Sequence, residues 1–83
     1  MEKVLIKLNV PIIEEKYDIW LPLNKTIYEI IQLLMKAIKE NTGESYEPKE
    51  LPSLYDKITG KEYNINLKVI ETNIRNGSEI ILI

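Results

Sequence analysis

The sequence predicts an α+β domain in which one long helix packs across one face of a mixed sheet of four to five strands. Three observations predict it. Val4, Ile6, Leu8 and Val10 alternate with Lys3, Lys7 and Asn9 at the period of two that marks a strand half buried on a core. From Ile27 onward the apolar residues Ile30, Ile31, Leu34 and Ile38 recur at helical spacing instead. Asn76-Gly77 then introduces a last alternating stretch that places Ile80 and Leu82 on the core.

The first strand stops at Pro11, which has no amide hydrogen to give to a ladder, and residues 12–16, with Glu14 and Glu15, read as a hairpin loop. Tyr17, Ile19 and Leu21 alternate with Asp18 and Trp20, so an antiparallel second strand is expected as far as Pro22. Thr26 and Glu29 have the spacing of a capping box and place the helix over residues 27–41. Glu29, Gln32, Lys36, Lys39 and Glu40 form its polar side, while Leu33, Met35 and Ala37 broaden its apolar stripe. Gly43 supplies a left-handed closing position. Residues 44–53, with Pro48 and Pro52, read as a connecting loop. Residues 54–58 form a third strand, Thr59-Gly60 a turn, and Glu62 with Tyr63 a short fourth strand. A loop with room for one helical turn fills residues 64–72, and Asn76 and Gly77, both tolerant of positive φ, turn the chain into its last strand.

The 83 residues make a single domain, 1–83, which buries only roughly 60 to 65% of the surface its unfolded chain exposes. Cysteine and histidine are both absent, which removes disulfides, thiolate and imidazole chemistry and the usual transition-metal ligand sets. No cofactor and no catalysis are expected. The net charge is −2 and no basic stripe appears, so counterion release from a nucleic acid would be small and nucleic acid is not an expected partner. No apolar run approaches the ~20 residues that cross a bilayer, so direct membrane insertion is not expected. The strand pattern follows Met1, Glu2 and Lys3 at once, without a signal peptide, and the expected location is cytoplasmic.

Hairpin, long helix, short-strand pair, connecting loop and last strand is the order of the β-grasp. Residues 71–82, Glu-Thr-Asn-Ile-Arg-Asn-Gly-Ser-Glu-Ile-Ile-Leu, are similar to the closing segment of ubiquitin-like domains, in which Ile74 would be the buried anchor. The chain also resembles the bacterial YukD/EsaB family of ubiquitin-like proteins associated with type VII (ESX/WXG100) secretion. Tyr17-Asp18-Ile19-Trp20-Leu21 looks like that family's aromatic-Asp-Leu-x-Leu strand, and the spacing of Ile27, Ile30 and Ile31 matches its helix. Ile74-x-Asn76-Gly77 with Ile80 and Leu82 matches its Ile-x-Asn-Gly-Asp ending, except that Ser78 replaces the acidic residue. The resemblance implies a ubiquitin-like β-grasp with an accessory role in secretion and partners in the secretion machinery.

A covalent modifier or sulfur carrier of this fold needs a C-terminal glycine pair, and Gly43, Gly60 and Gly77 are never adjacent. The expected function is therefore a non-catalytic, non-conjugated protein-interaction domain. A β-grasp effector subunit of an enzyme complex is the other reading. If Val4, Ile6, Leu8, Tyr17, Ile19, Leu21, Ile80 and Leu82 face the helix, then Leu5, Trp20, Ile81 and Ile83 face away, joined by Tyr55 or Lys57. That apolar outer face is the first candidate for binding a protein partner or a weakly associating second copy; alternatively Trp20 merely shields its neighbouring strands. Ile12 and Ile13, apolar residues at a loop tip, are a second candidate and either extend the surface or fold back onto the sheet. Glu14, Glu15 and Asp56 invite an acid–base role, but a catalytic pair needs a shared cleft.

Overall fold

The computed structural model describes residues 2–43 and 45–83; Met1 and Glu44, at the head of the chain and of the expected connecting loop, lie outside the described residues. Its elements run β1 (Lys3–Val10), β2 (Glu15–Pro22), α1 (Ile27–Asn41), β3 (Leu54–Asp56) and β4 (Glu79–Leu82), with 3-10 turns at Pro11–Ile13 and Val69–Glu71. The sheet order is β2-β1-β4-β3. β1 pairs antiparallel with β2 and parallel with β4, and β4 pairs antiparallel with β3. A chain-local hairpin thus becomes half of a mixed sheet when the last strand enters beside the first.

Alternation decides which side chains meet α1. Val4, Ile6, Leu8 and Val10 of β1, Leu21 of β2, Leu54 of β3, and Ile80 and Leu82 of β4 are buried against Ile27, Ile30, Ile31, Leu34 and Ile38 of the helix. The helix starts where the capping box places it: the Glu29 amide donates to Thr26 Oγ1 at 3.2 Å, and the Thr26 amide donates to Glu29 Oε1 at 3.1 Å. The Thr42 amide still bonds the Ile38 carbonyl at 2.9 Å, and Gly43, at φ 64, closes the helix. Ile74 is the buried anchor ahead of β4, with no exposed surface.

Four expectations are corrected. The first hairpin loop is shorter than residues 12–16, because Pro11 starts a single 3-10 turn that Glu14 closes at φ 54, so Glu15 already pairs with Val10 and Lys16 with Asn9. The third strand ends at Asp56 rather than at Ile58: Asp56 Oδ1 accepts from the Ile58 amide at 2.9 Å, and its carbonyl accepts from Gly60 at 2.8 Å, which bends the chain. Glu62 forms only an isolated bridge to Tyr55, with the Tyr63 amide bonded to the Leu54 carbonyl, and no strand follows, since Asn64 Oδ1 takes the Asn66 amide and turns the chain away, leaving a four-stranded sheet. On α1, Met35 packs against the core, but Leu33 is 50% exposed and Ala37 is exposed too. The stripe is narrower than its apolar residues because a helix lays only one face on a flat sheet.

The connecting loop is less polar in its role than in its composition. Tyr46 is buried with the core, and burial raises its phenol above the ordinary pKa. Because Ile74 and Leu82 are closed in by both layers, Ile74→Ala and Leu82→Ala should each destabilise the domain by ~2 to 4 kcal/mol in chemical denaturation, the range for large-to-small changes in a packed core. An unchanged midpoint in either variant would contradict the register of β4.

Candidate protein-interaction surface

The registers fix which residues share the outer face of the sheet. Leu5 stands opposite Trp20, Lys7 opposite Asp18 on one side and Glu79 on the other, and Ile81 between Asn9 and Tyr55. Lys57 follows Tyr55 and Asp56 beyond the end of β3, and its Nζ lies 3.8 Å from Glu79 Oε1. A row of alternating charge, Asp18, Lys7, Glu79 and Lys57, therefore runs from β2 across β1 and β4 to the residue just beyond β3 and lines a shallow cleft of 330 Å³. The expected apolar face exists as two pieces on either side of this row.

One piece is the cross-strand pair of half-buried Leu5 and 59% exposed Trp20. The other gathers at the far end of the sheet, where Tyr55 and 67% exposed Ile83 line a groove of 610 Å³ with Ile12, Leu51, Pro48 and Pro52. Ile81 is half-buried in the row next to it. Ile12, at 74% exposure, thus joins Tyr55 and Ile83 rather than forming a separate site, while Ile13 folds back onto the core. Leu51 was not singled out from the sequence; it sits in a polar stretch between two prolines, and only the return of that loop beside Ile83 gives it apolar neighbours. The Ile83 amide bonds the Ser53 carbonyl at 3.0 Å, which fixes that return.

Asp56 and Glu29 have structural partners. Asp56 is only 9% exposed, and Asn73 Nδ2 donates to its Oδ2 at 3.0 Å while Ile58 donates to Oδ1. The Asn73 side chain and then the Ile58 amide hold its pKa below the ordinary carboxylate range. Asn73 Oδ1 in turn accepts from the Tyr63 hydroxyl at 2.8 Å, and burial, followed by the nearby charge of Asp56, pushes that phenol up to about 12. Glu29 is lowered chiefly by the Thr26 amide it accepts from. Glu14 and Glu15 are exposed residues of the first hairpin. Among the described residues no three His, Cys, Asp or Glu side chains gather as a metal site, and no helix is long and apolar enough to cross a membrane.

The approach of β4 to β1 completes the geometry. Asn76 Oδ1 accepts from the Leu5 amide at 2.8 Å, the Gly77 amide donates to the Leu5 carbonyl at 2.8 Å, and Lys7 donates to the Ser78 carbonyl at 2.9 Å. Only Gly77 of the turn pair has positive φ, at 87; Asn76 acts through its side chain, which extends the ladder by one rung. Ser78 Oγ accepts from the Arg75 amide at 2.8 Å, so its hydroxyl closes the turn without an acidic side chain.

No protein-family model matches the sequence, and no curated protein matches it. Solved structures do. The ubiquitin-like domain of the Mycobacterium tuberculosis type VII secretion system protein EccD1 superposes with a TM-score of 0.78 at 10% identity, covering 100% of this chain and 99% of that one. The fold is the ubiquitin-like β-grasp. A chain of the ESX-5 inner membrane complex matches with a TM-score of 0.77 at 14% identity over 99% of this chain, which spans 21% of that larger one. A chain of the toluene 4-monooxygenase HD complex matches with a TM-score of 0.77 at 8% identity, covering 98% of this chain and 96% of that one. Such low identities establish a shared β-grasp, and proteins of different activity share it.

Two expectations follow from these positions. Trp20→Ala removes an exposed ring whose cross-strand partner is Leu5, so it should shift stability by less than about 1 kcal/mol and leave the helical circular dichroism signal intact; unfolding would place Trp20 in the core. Asp56 has a lowered folded pKa, so its contribution is present above the unfolded value of about 3.9 and is lost as pH falls through the folded value. A series of denaturant midpoints below pH 5 should therefore fall less steeply for Asp56→Asn than for the parent chain, and identical slopes would remove Asp56 from the acid response.

Proposed function

We propose that this β-grasp is a non-catalytic, non-conjugated protein-interaction domain acting in the cytoplasm as an accessory component of a type VII secretion apparatus. The observation that carries the binding role is the outer face, where Trp20 and the groove around Ile83 keep large apolar side chains in solvent on either side of an ordered charge row. Aromatic and aliphatic anchors flanked by paired charges supply affinity from the first and register from the second. The two lowered carboxylates, Asp56 and Glu29, are engaged in a turn and a helix cap, which supports a role without acid–base chemistry. Gly43, Gly60 and Gly77 all hold positive φ at turns, and cleavage after Gly77 would remove β4, which supports a function without conjugation.

The secretion role is supported by the YukD/EsaB-like spacing of β2, α1 and the β4 turn, together with the likeness to the EccD1 ubiquitin-like domain and the ESX-5 complex chain. The likeness to the monooxygenase chain favours the second reading, an effector subunit of an enzyme complex. Affinity purification of the tagged chain from its native cells after mild membrane solubilisation separates the two. The expected result is recovery of an FtsK/SpoIIIE-type ATPase and membrane subunits of the secretion system, reduced for Trp20→Ala at equal protein level. Recovery of an oxygenase component in their place would establish the effector reading and overturn the secretion one.

A further inference from the structure

The two edges of the sheet are unequal. β3 is three residues long and is covered by the returning chain, with Asp56 and Tyr63 amides bonded to the Lys61 and Leu54 carbonyls. β2 has eight residues in unbroken register with β1, without a bulge, and its one proline stands at its end. Antiparallel peptide groups alternate between the two sides of a strand, and the Leu23 amide bonds the Glu2 carbonyl at 3.1 Å in continuation of this register. The odd-numbered residues of β2 therefore bond to β1. Lys16, Asp18 and Trp20 turn their peptide groups to the open edge, which lacks the shortness, bulge or central proline that ordinarily blunts one.

The helix leaves a matching feature above that edge. Met35 lies with Lys39, Tyr46 and Pro48, and the Tyr28 amide bonds the Ile65 carbonyl, so one flank of α1 faces the loops that run with β3. Leu33 projects about 160° around the helix from Met35, with Ala37 one turn further along the same flank. These exposed apolar residues lie on the flank opposite to that of Met35, turned away from the loops that run with β3.

We propose that β2 pairs antiparallel with β2 of a second copy of this chain across a two-fold axis at Tyr17, joining two four-stranded sheets into one of eight strands. Charge selects the copy and the register. With Tyr17 opposite Tyr17 of the second copy, each Lys16 faces the other Asp18, giving two opposite-charge pairs on the outer face. Sliding by two residues in one direction sets Asp18 against Asp18, and in the other Lys16 against Lys16, both like-charge contacts. The two-fold also brings both helices to the same side of the sheet, with the flanks bearing Leu33 and Ala37 facing each other. This inference is independent of the secretion reading, since it concerns the β2 edge and the helix flank.

Sedimentation velocity from about 10 μM to 1 mM tests it with the full chain. The parent should be a monomer–dimer mixture that shifts to monomer as salt rises, because partly exposed ion pairs are screened. Lys16→Asp and Asp18→Lys, each placing like charges across the axis, should each weaken dimerisation about tenfold, as expected for two pairs reversed in sign. Their equimolar mixture should dimerise again, since the first variant is acidic at both positions and the second basic at both, and a mixed pair restores two opposite-charge contacts. Leu33→Glu should weaken association without loss of the thermal transition. A parent that stays monomeric at 1 mM, single variants as dimeric as the parent, or a mixture that stays monomeric would each overturn the proposal; the last would hold even if one variant proved less stable alone.

Discussion

The parallel pairing of β4 with β1 is the constraint on which the remainder of this domain depends. β4 alone touches both the hairpin and β3, so without it the sheet has no second half and α1 has no continuous floor. It is also the costliest contact to reach, because it joins residues 71 apart in sequence, as between Leu5 and Asn76. The chain secures it through side chains as well as backbone. Asn76 supplies an extra rung, Ser78 closes the turn beside it, and Ile74 drives the segment into the core before the strand begins.

The outer face follows from that pairing. Moving β4 by one residue would exchange Ile80 and Leu82 with Glu79 and Ile81 and bury a carboxylate. In the observed register Glu79 instead stands between Lys7 and Lys57, completing the charge row that begins at Asp18. The same row divides the exposed apolar residues into the Leu5–Trp20 pair and the groove around Ile83. A partner that engages the whole face must therefore bring charges at its centre and apolar groups at its two ends, which is a more selective requirement than a uniform apolar patch.

Much of this was legible from local pattern, and the particular residues show why. The alternation of β1 and the Thr26–Glu29 capping box are encoded within a few positions, so strand faces and the start of α1 coincide with the expectation. The outward direction of Leu5, Trp20 and Ile83 follows from the same alternation. Leu51 and the joining of Ile12 to Tyr55 were not legible, because they depend on where a loop returns rather than on its own composition. The burial of Asp56 was not legible either, because it depends on Asn73, 17 residues away, which occupies its second oxygen.

By itself the sequence determined the class of the fold, the inner face of each long strand, the helix and its cap, and the absence of any imidazole or thiol chemistry. Tertiary structure alone decided that the fourth expected strand is a single bridge, that Leu33 and Ala37 stay in solvent, and that the apolar outer face is two clusters around a line of charge. The reason is the range of the forces involved. Periodicity and capping act between residues a few positions apart and are written in order along the chain, whereas neighbours across strands are set by registers that exist only once β1 and β4 have met.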